Sequence, residues 1–104
     1  MSTIETKGII FEDYWYNDSW NETEIFFEAP ASYLNGKYPE ANGCTFMLRY
    51  TGKKWDIDDA VVGISPFEDD GYERNDYDWC PYFCDPEFKQ ALYDIYENRG
   101  KENT

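Results

Sequence analysis

The chain has 104 residues, with 22 Asp and Glu against 9 Lys and Arg, no histidine, and a formal charge of −13 at pH 7. That length holds one domain over 1–104, with 1–7 and 101–104 expected to fray, and no apolar run reaches the ~18 residues of a membrane-spanning helix. Met1 to Lys7 lacks the basic stretch and apolar core of an export signal, so a cytoplasmic protein is expected. Aromatic residues make up 20 % of the chain, which separates it from disordered chains of similar charge and predicts a folded domain.

Gly8 to Tyr16 and Thr23 to Glu28 are rich in Ile, Phe, Tyr and Trp and flank the turn-like Asn17 to Asn21, a pattern that predicts two antiparallel strands. From Ala29 to Gly43 the prolines, Asn35-Gly36 and Asn42-Gly43 punctuate too often for a long element, leaving a loop with one helical turn near Ala31 to Leu34. Cys44 to Thr51 alternates Cys, Phe, Leu and Tyr with Thr, Met, Arg and Thr, a strand with one apolar face. Gly52-Lys53 is expected to close a hairpin, followed by strand at Lys54 to Ile57 and Ala60 to Phe67, with a bulge at Gly63 and a turn at Glu68 to Gly71. Near the C-terminus Asp85 suits an N-cap and Pro86 the first helical position. Phe88, Ala91, Leu92, Ile95 and Tyr96 then recur on one helical face before the stop at Gly100. Packing that stripe on the strands gives an α+β domain, an antiparallel sheet of four or five strands with one C-terminal helix packed on it.

Charge is concentrated in two blocks. Residues 12–28 carry Glu12, Asp13, Asp18, Glu22, Glu24 and Glu28 with no Lys or Arg. Lys37, Arg49, Lys53 and Lys54 reverse the sign over 29–55. From 56 to 78, Asp56, Asp58, Asp59, Glu68, Asp69, Asp70, Glu73, Asp76 and Asp78 face only Arg74.

Without histidine the Ser-His, Cys-His and His-metal constellations are closed to this chain, and no carboxylate pair stands out among so many, so a non-enzyme is expected. Trp79 to Cys84 resembles the Cys-Pro-Tyr-Cys site of glutaredoxins with Phe83 inserted. The insertion breaks the spacing that places the first thiol over a helix N-terminus, and Asp85 adds a negative charge there. Cys44, Cys80 and Cys84 are read as plain thiols. Residues 69–78 are rich in oxygen ligands but miss the calcium-loop register and contain Arg74, so neither a metal nor a cofactor is expected.

The remaining feature is the surface. On an extended segment, residues i and i+2 sit ~7 Å apart on one face. Asp56 with Asp58, Glu22 with Glu24, Glu68 with Asp70, and Asp76 with Asp78 form such pairs. Tyr72, Tyr77, Trp79 and Tyr82 are interleaved with the second block, and Tyr14, Trp15, Tyr16 and Trp20 with the first. Carboxylates steer a cationic partner, and aromatic rings anchor it and stack on its arginines. The plainer alternative is a solvated acidic face around a core that needs the aromatics.

In charge, length, aromatic content and lack of catalytic groups, the chain resembles the DNA-mimicking inhibitors of phages and mobile elements, of the anti-CRISPR and anti-restriction type. The resemblance implies an inhibitor that blocks the nucleic-acid-binding groove of a basic protein, such as a bacterial defence nuclease or effector complex, without itself binding nucleic acid or membrane. The contact surface is expected in the 56–78 block, at Asp56, Asp58, Asp59, Glu68, Asp69, Asp70, Tyr72, Glu73, Asp76, Tyr77 and Asp78, with a second patch at Glu12, Asp13, Glu22 and Glu24. An immunity protein against a basic nuclease toxin and an acidic interaction module are the alternatives, and the exposed aromatics would also suit a homodimer. A decoy of this kind needs its two anionic segments on a shared surface, not neutralised by the chain's own cations.

Overall fold

Strand β2, Glu22–Ala29, has a strict alternation: Thr23, Ile25, Phe27 and Ala29 are buried, while Glu22, Glu24, Phe26 and Glu28 are not. That period of two belongs to a strand with one face on a core. The computed structural model describes residues 7–34, 42–67, 82 and 84–99. Strands β1, Ile10–Asn17, β2, β3, Gly43–Thr51, and β4, Val61–Phe67, form an antiparallel sheet in the order β1-β2-β3-β4. Helix α1, Pro86–Glu97, packs on one face of it.

The core lies between that face and α1. Ile25, Phe27, Cys44, Phe46, Leu48, Val62 and Ile64 point into it from the strands, and Phe88 and Leu92 from the helix. Phe88 stacks on Tyr82 with ring centres 4.1 Å apart and meets Phe46 edge-on at 5.1 Å. Further along the helix, Trp55 stacks on Tyr93 at 4.4 Å and meets Tyr50 edge-on at 5.2 Å. Each aliphatic or aromatic side chain buried this way contributes ~1.5–3 kcal/mol. Asp85 starts the helix as expected, its Oδ1 accepting from the backbone N–H of Glu87 at 3.0 Å and Phe88 at 3.3 Å. The helical turn expected near Ala31 is a 3-10 turn at Ala31–Leu34, with Leu34 buried.

Three local expectations are corrected. Lys54 to Ile57 is not strand: Asp56 turns its carboxylate onto the backbone N–H of Asp58 at 3.0 Å and caps a 3-10 turn at Ile57–Asp59. A short polar side chain that satisfies its own backbone outcompetes extension here. Gly52 does not close a tight hairpin. At φ +85° it turns the chain out of β3 while its N–H donates to the Asn21 carbonyl at 2.7 Å, and residues 52–60 connect β3 to β4. Gly63 forms no bulge and sits in register opposite Met47, whereas β1 shifts register between Phe11 and Asp13. The expected turn at Glu68 to Gly71 and the stop at Gly100 lie outside the described residues.

Candidate functional site

The face of the sheet turned away from α1 follows from the pairing register. Ile10 lies opposite Glu28, Asp13 opposite Phe26, Trp15 opposite Glu24, and Asn17 opposite Glu22. Directly paired residues share a face. This open face therefore carries Asp13, Glu22, Glu24 and Glu28 together with Ile10, Trp15 and Phe26. Glu22 and Glu24 are ~7 Å apart along β2, and neighbouring strands are ~4.8 Å apart. On the β3–β4 half of the same face Thr45, Met47 and Ser65 are buried while Arg49 and Thr51 are not, so its exposed part is the β1–β2 half together with the Arg49 end of β3.

Aromatic and carboxylate groups are interlocked there. The Trp15 indole N–H donates to Glu24 Oε1 at 2.7 Å, and its ring lies 4.5 Å from that of Phe26. At the hairpin turn Asn17 Oδ1 accepts from the backbone N–H of Ser19 at 3.0 Å and of Trp20 at 3.3 Å. Asn21 follows at φ +52°, its Oδ1 accepting from the Tyr16 hydroxyl at 2.5 Å. The turn leaves Trp20 72 % exposed beside a shallow open depression of about 260 Å³ lined by Asn17, Trp20, Glu22, Glu24 and Arg49. Among the described residues the exposed large hydrophobic side chains are Ile10, Tyr14, Trp15 and Trp20, all from this one hairpin.

The chain's own cations sit around the same hairpin. Arg49 Nε is 3.4 Å from Glu22 Oε2 in a part-exposed ion pair. Lys53 Nζ lies 4.9 Å over the Tyr16 ring. On the helix side, the Arg99 guanidinium is 4.0 Å over Tyr96 and 5.4 Å over both Phe11 and Tyr14.

Of the expected site residues, Asp13, Glu22 and Glu24 come together on the open face, and Glu12 is exposed at the β1 register shift. Asp56, Asp58 and Asp59 are exposed but belong to the 3-10 turn on the helix layer, which Lys89 of α1 holds by donating to the carbonyls of Ile57 and Ala60. The expected extended row of Asp56 and Asp58 is therefore not formed, because Asp56 is spent on capping. These three aspartates lie toward the same end of the sheet as Glu22 but on its other side, so the described parts of the two acidic blocks do not share a face. Glu68, Asp69, Asp70, Tyr72, Glu73, Asp76, Tyr77 and Asp78 lie outside the described residues. Glu28, omitted from the expected patch, belongs to it, and the period of two through Glu22, Glu24 and Phe26 is the signal that finds it.

Cys44 is buried in the core, its Sγ 3.5 Å from the Pro30 carbonyl oxygen, and Cys84 is exposed one residue before the helix cap. Among the described residues no three Cys, Asp or Glu side chains are grouped to hold a metal ion, and no helix is long and apolar enough to cross a membrane. Compared with protein-family models, curated proteins and solved structures, the chain matches none.

Proposed function

We propose that this protein is a non-enzymatic inhibitor that imitates a nucleic-acid backbone and blocks the nucleic-acid-binding groove of a basic protein, a bacterial defence nuclease or effector complex in the cytoplasm. One observation carries the reading: the β1–β2 hairpin holds six carboxylates and no Lys or Arg, and gathers the exposed large hydrophobic side chains of the described chain. A charge of −13 on a small domain opposes folding through self-repulsion, a cost that solubility does not require and a cationic partner offsets. Duplex DNA carries one charge per ~1.7 Å of axis, and a surface built to grip it accepts a dense carboxylate array as a competing ligand. The described acidic groups lie on two sides of the sheet and Arg49 pairs with Glu22, so the shared two-segment surface expected from the sequence is not formed and a single-face decoy remains. The hairpin face makes the contact, while Asp56, Asp58 and Asp59 contribute field to the approach.

Immobilised protein exposed to a bacterial lysate at low salt is expected to retain nucleic-acid-binding proteins that added duplex DNA releases. Retained proteins indifferent to DNA would refute nucleic-acid mimicry. Neutralising Glu22, Glu24 and Glu28 to Gln is expected to abolish this retention. Retention that survives that change but disappears on replacing Asp69, Asp70, Asp76 and Asp78 by Asn would move the contact surface to the second acidic block.

A further inference from the structure

We infer that the β1–β2 half of the open sheet face docks an arginine-rich segment of the partner and discriminates it from an equally charged lysine-rich one. This rests on the reading of the chain as a ligand for a basic protein, and it specifies which cation that ligand is built to take.

The outer edge of β1, at the end of the described sheet, is poorly suited to adding a strand. The register shift between Phe11 and Asp13 interrupts it, and the Asp13 carboxylate already accepts the backbone N–H of Tyr14 at 2.8 Å. Bulges and charged side chains at an edge protect sheets from pairing. Docking therefore runs through side chains of the face, and those side chains combine two chemistries at one place. Trp15 and Trp20 are exposed rings, and Glu24 beside them accepts the Trp15 indole N–H through Oε1. A planar guanidinium stacks on a ring and forks to a carboxylate at once, whereas an ammonium meets the carboxylate as a point charge.

The chain displays the same chemistry internally. Arg99 covers Phe11, Tyr14 and Tyr96 on the helix side of the hairpin, and Arg49 reaches Glu22 at the rim of the depression beside Trp20. A second copy of the chain does not fit as occupant. Each hairpin brings six carboxylates without a cation, so a symmetric contact would set like charges against each other.

The test uses nona-arginine and nona-lysine peptides titrated into the isotope-labelled full chain at low salt, with amide shifts mapping the contact and tryptophan fluorescence giving affinity. Nona-arginine is expected to bind more tightly and to shift the amides of residues 13–28. Trp20→Ala leaves folding intact because the ring is largely exposed. It is expected to weaken nona-arginine by on the order of three-fold and nona-lysine by less, because an ammonium also makes a cation–π contact, as Lys53 does over Tyr16, but does not stack on the ring. Glu24→Gln is expected to weaken both peptides, and Asp58→Asn with Asp59→Asn to leave the selectivity intact. Equal binding of the two peptides, or shifts centred on Asp56 to Asp59, would overturn the inference. So would concentration-dependent dimerisation of the chain that Trp20→Ala abolishes, which would assign the face to a second copy. Arginine selectivity mapped to the hairpin, together with lysate partners that DNA fails to release, would sustain this surface and sink the mimicry.

Discussion

Tyr50 shows how burial sets the chemistry of a single residue. Its hydroxyl is pushed up to about 12 by burial first and by the neighbouring Tyr93 phenol next, with a hydrogen bond to Thr23 pulling the other way. Tyr93 is raised as well, by burial and then by Glu97. A phenol that ionises later when folded than when unfolded keeps its full contribution below pH ~10, its unfolded value. That contribution is lost as the pH climbs toward about 12. Melting temperature followed from pH 8 to 12 is therefore expected to fall above ~10, and Tyr50→Phe is expected to flatten that fall. A variant that melts with the same alkaline profile as the parent would show that Tyr50 is not the controlling group.

At the scale of elements, Lys89 ties two of them together. It is 5 % exposed, and its Nζ donates to the Ile57 carbonyl at 2.6 Å and the Ala60 carbonyl at 2.8 Å, linking α1 to the 3-10 turn that holds Asp58 and Asp59. Lys89→Met keeps the bulk and strands two carbonyls, so urea denaturation is expected to report a loss of ~2–3 kcal/mol. An unchanged midpoint would mean that water replaces the ammonium without cost. The helix itself was legible because its signals are local: Asp85, Pro86 and the stripe from Phe88 to Tyr96 need no distant partner to be read. Strand β2 was legible from its apolar and aromatic content beside a turn and β3 from alternation, although β3 buries Thr45 and Met47 on its second face as well, and the i and i+2 spacing put Glu22 and Glu24 on one face. Lys54 to Ile57 was misread as strand because an aspartate that caps its own backbone looks, in sequence, like any aspartate next to apolar residues. The seating of Arg99 on β1 rings was not legible at all, since it depends on where the far end of α1 lands.

For the whole molecule, charge acts with opposite signs on folding and on association. Adding salt screens the self-repulsion of a chain at −13, so the melting temperature is expected to rise between low and moderate salt. Over the same range binding to a basic partner should weaken. A melting temperature that falls with salt would mean that internal ion pairs such as Arg49 with Glu22 outweigh the repulsion. Composition made the imbalance plain and left its distribution hidden. Sequence proximity does not decide the layer, and the loop after β3 carries Asp56, Asp58 and Asp59 to the helix side while β2 holds its glutamates on the other.

The most direct measurement is displacement of a fluorescently labelled duplex from a nucleic-acid-binding protein retained by this chain, followed by anisotropy. The intact protein is expected to release the duplex in a salt-sensitive manner, and the Glu22→Gln, Glu24→Gln, Glu28→Gln variant to leave it bound. A triple variant that releases the duplex as well as the parent, or a parent that binds while the duplex stays in place, would contradict the account.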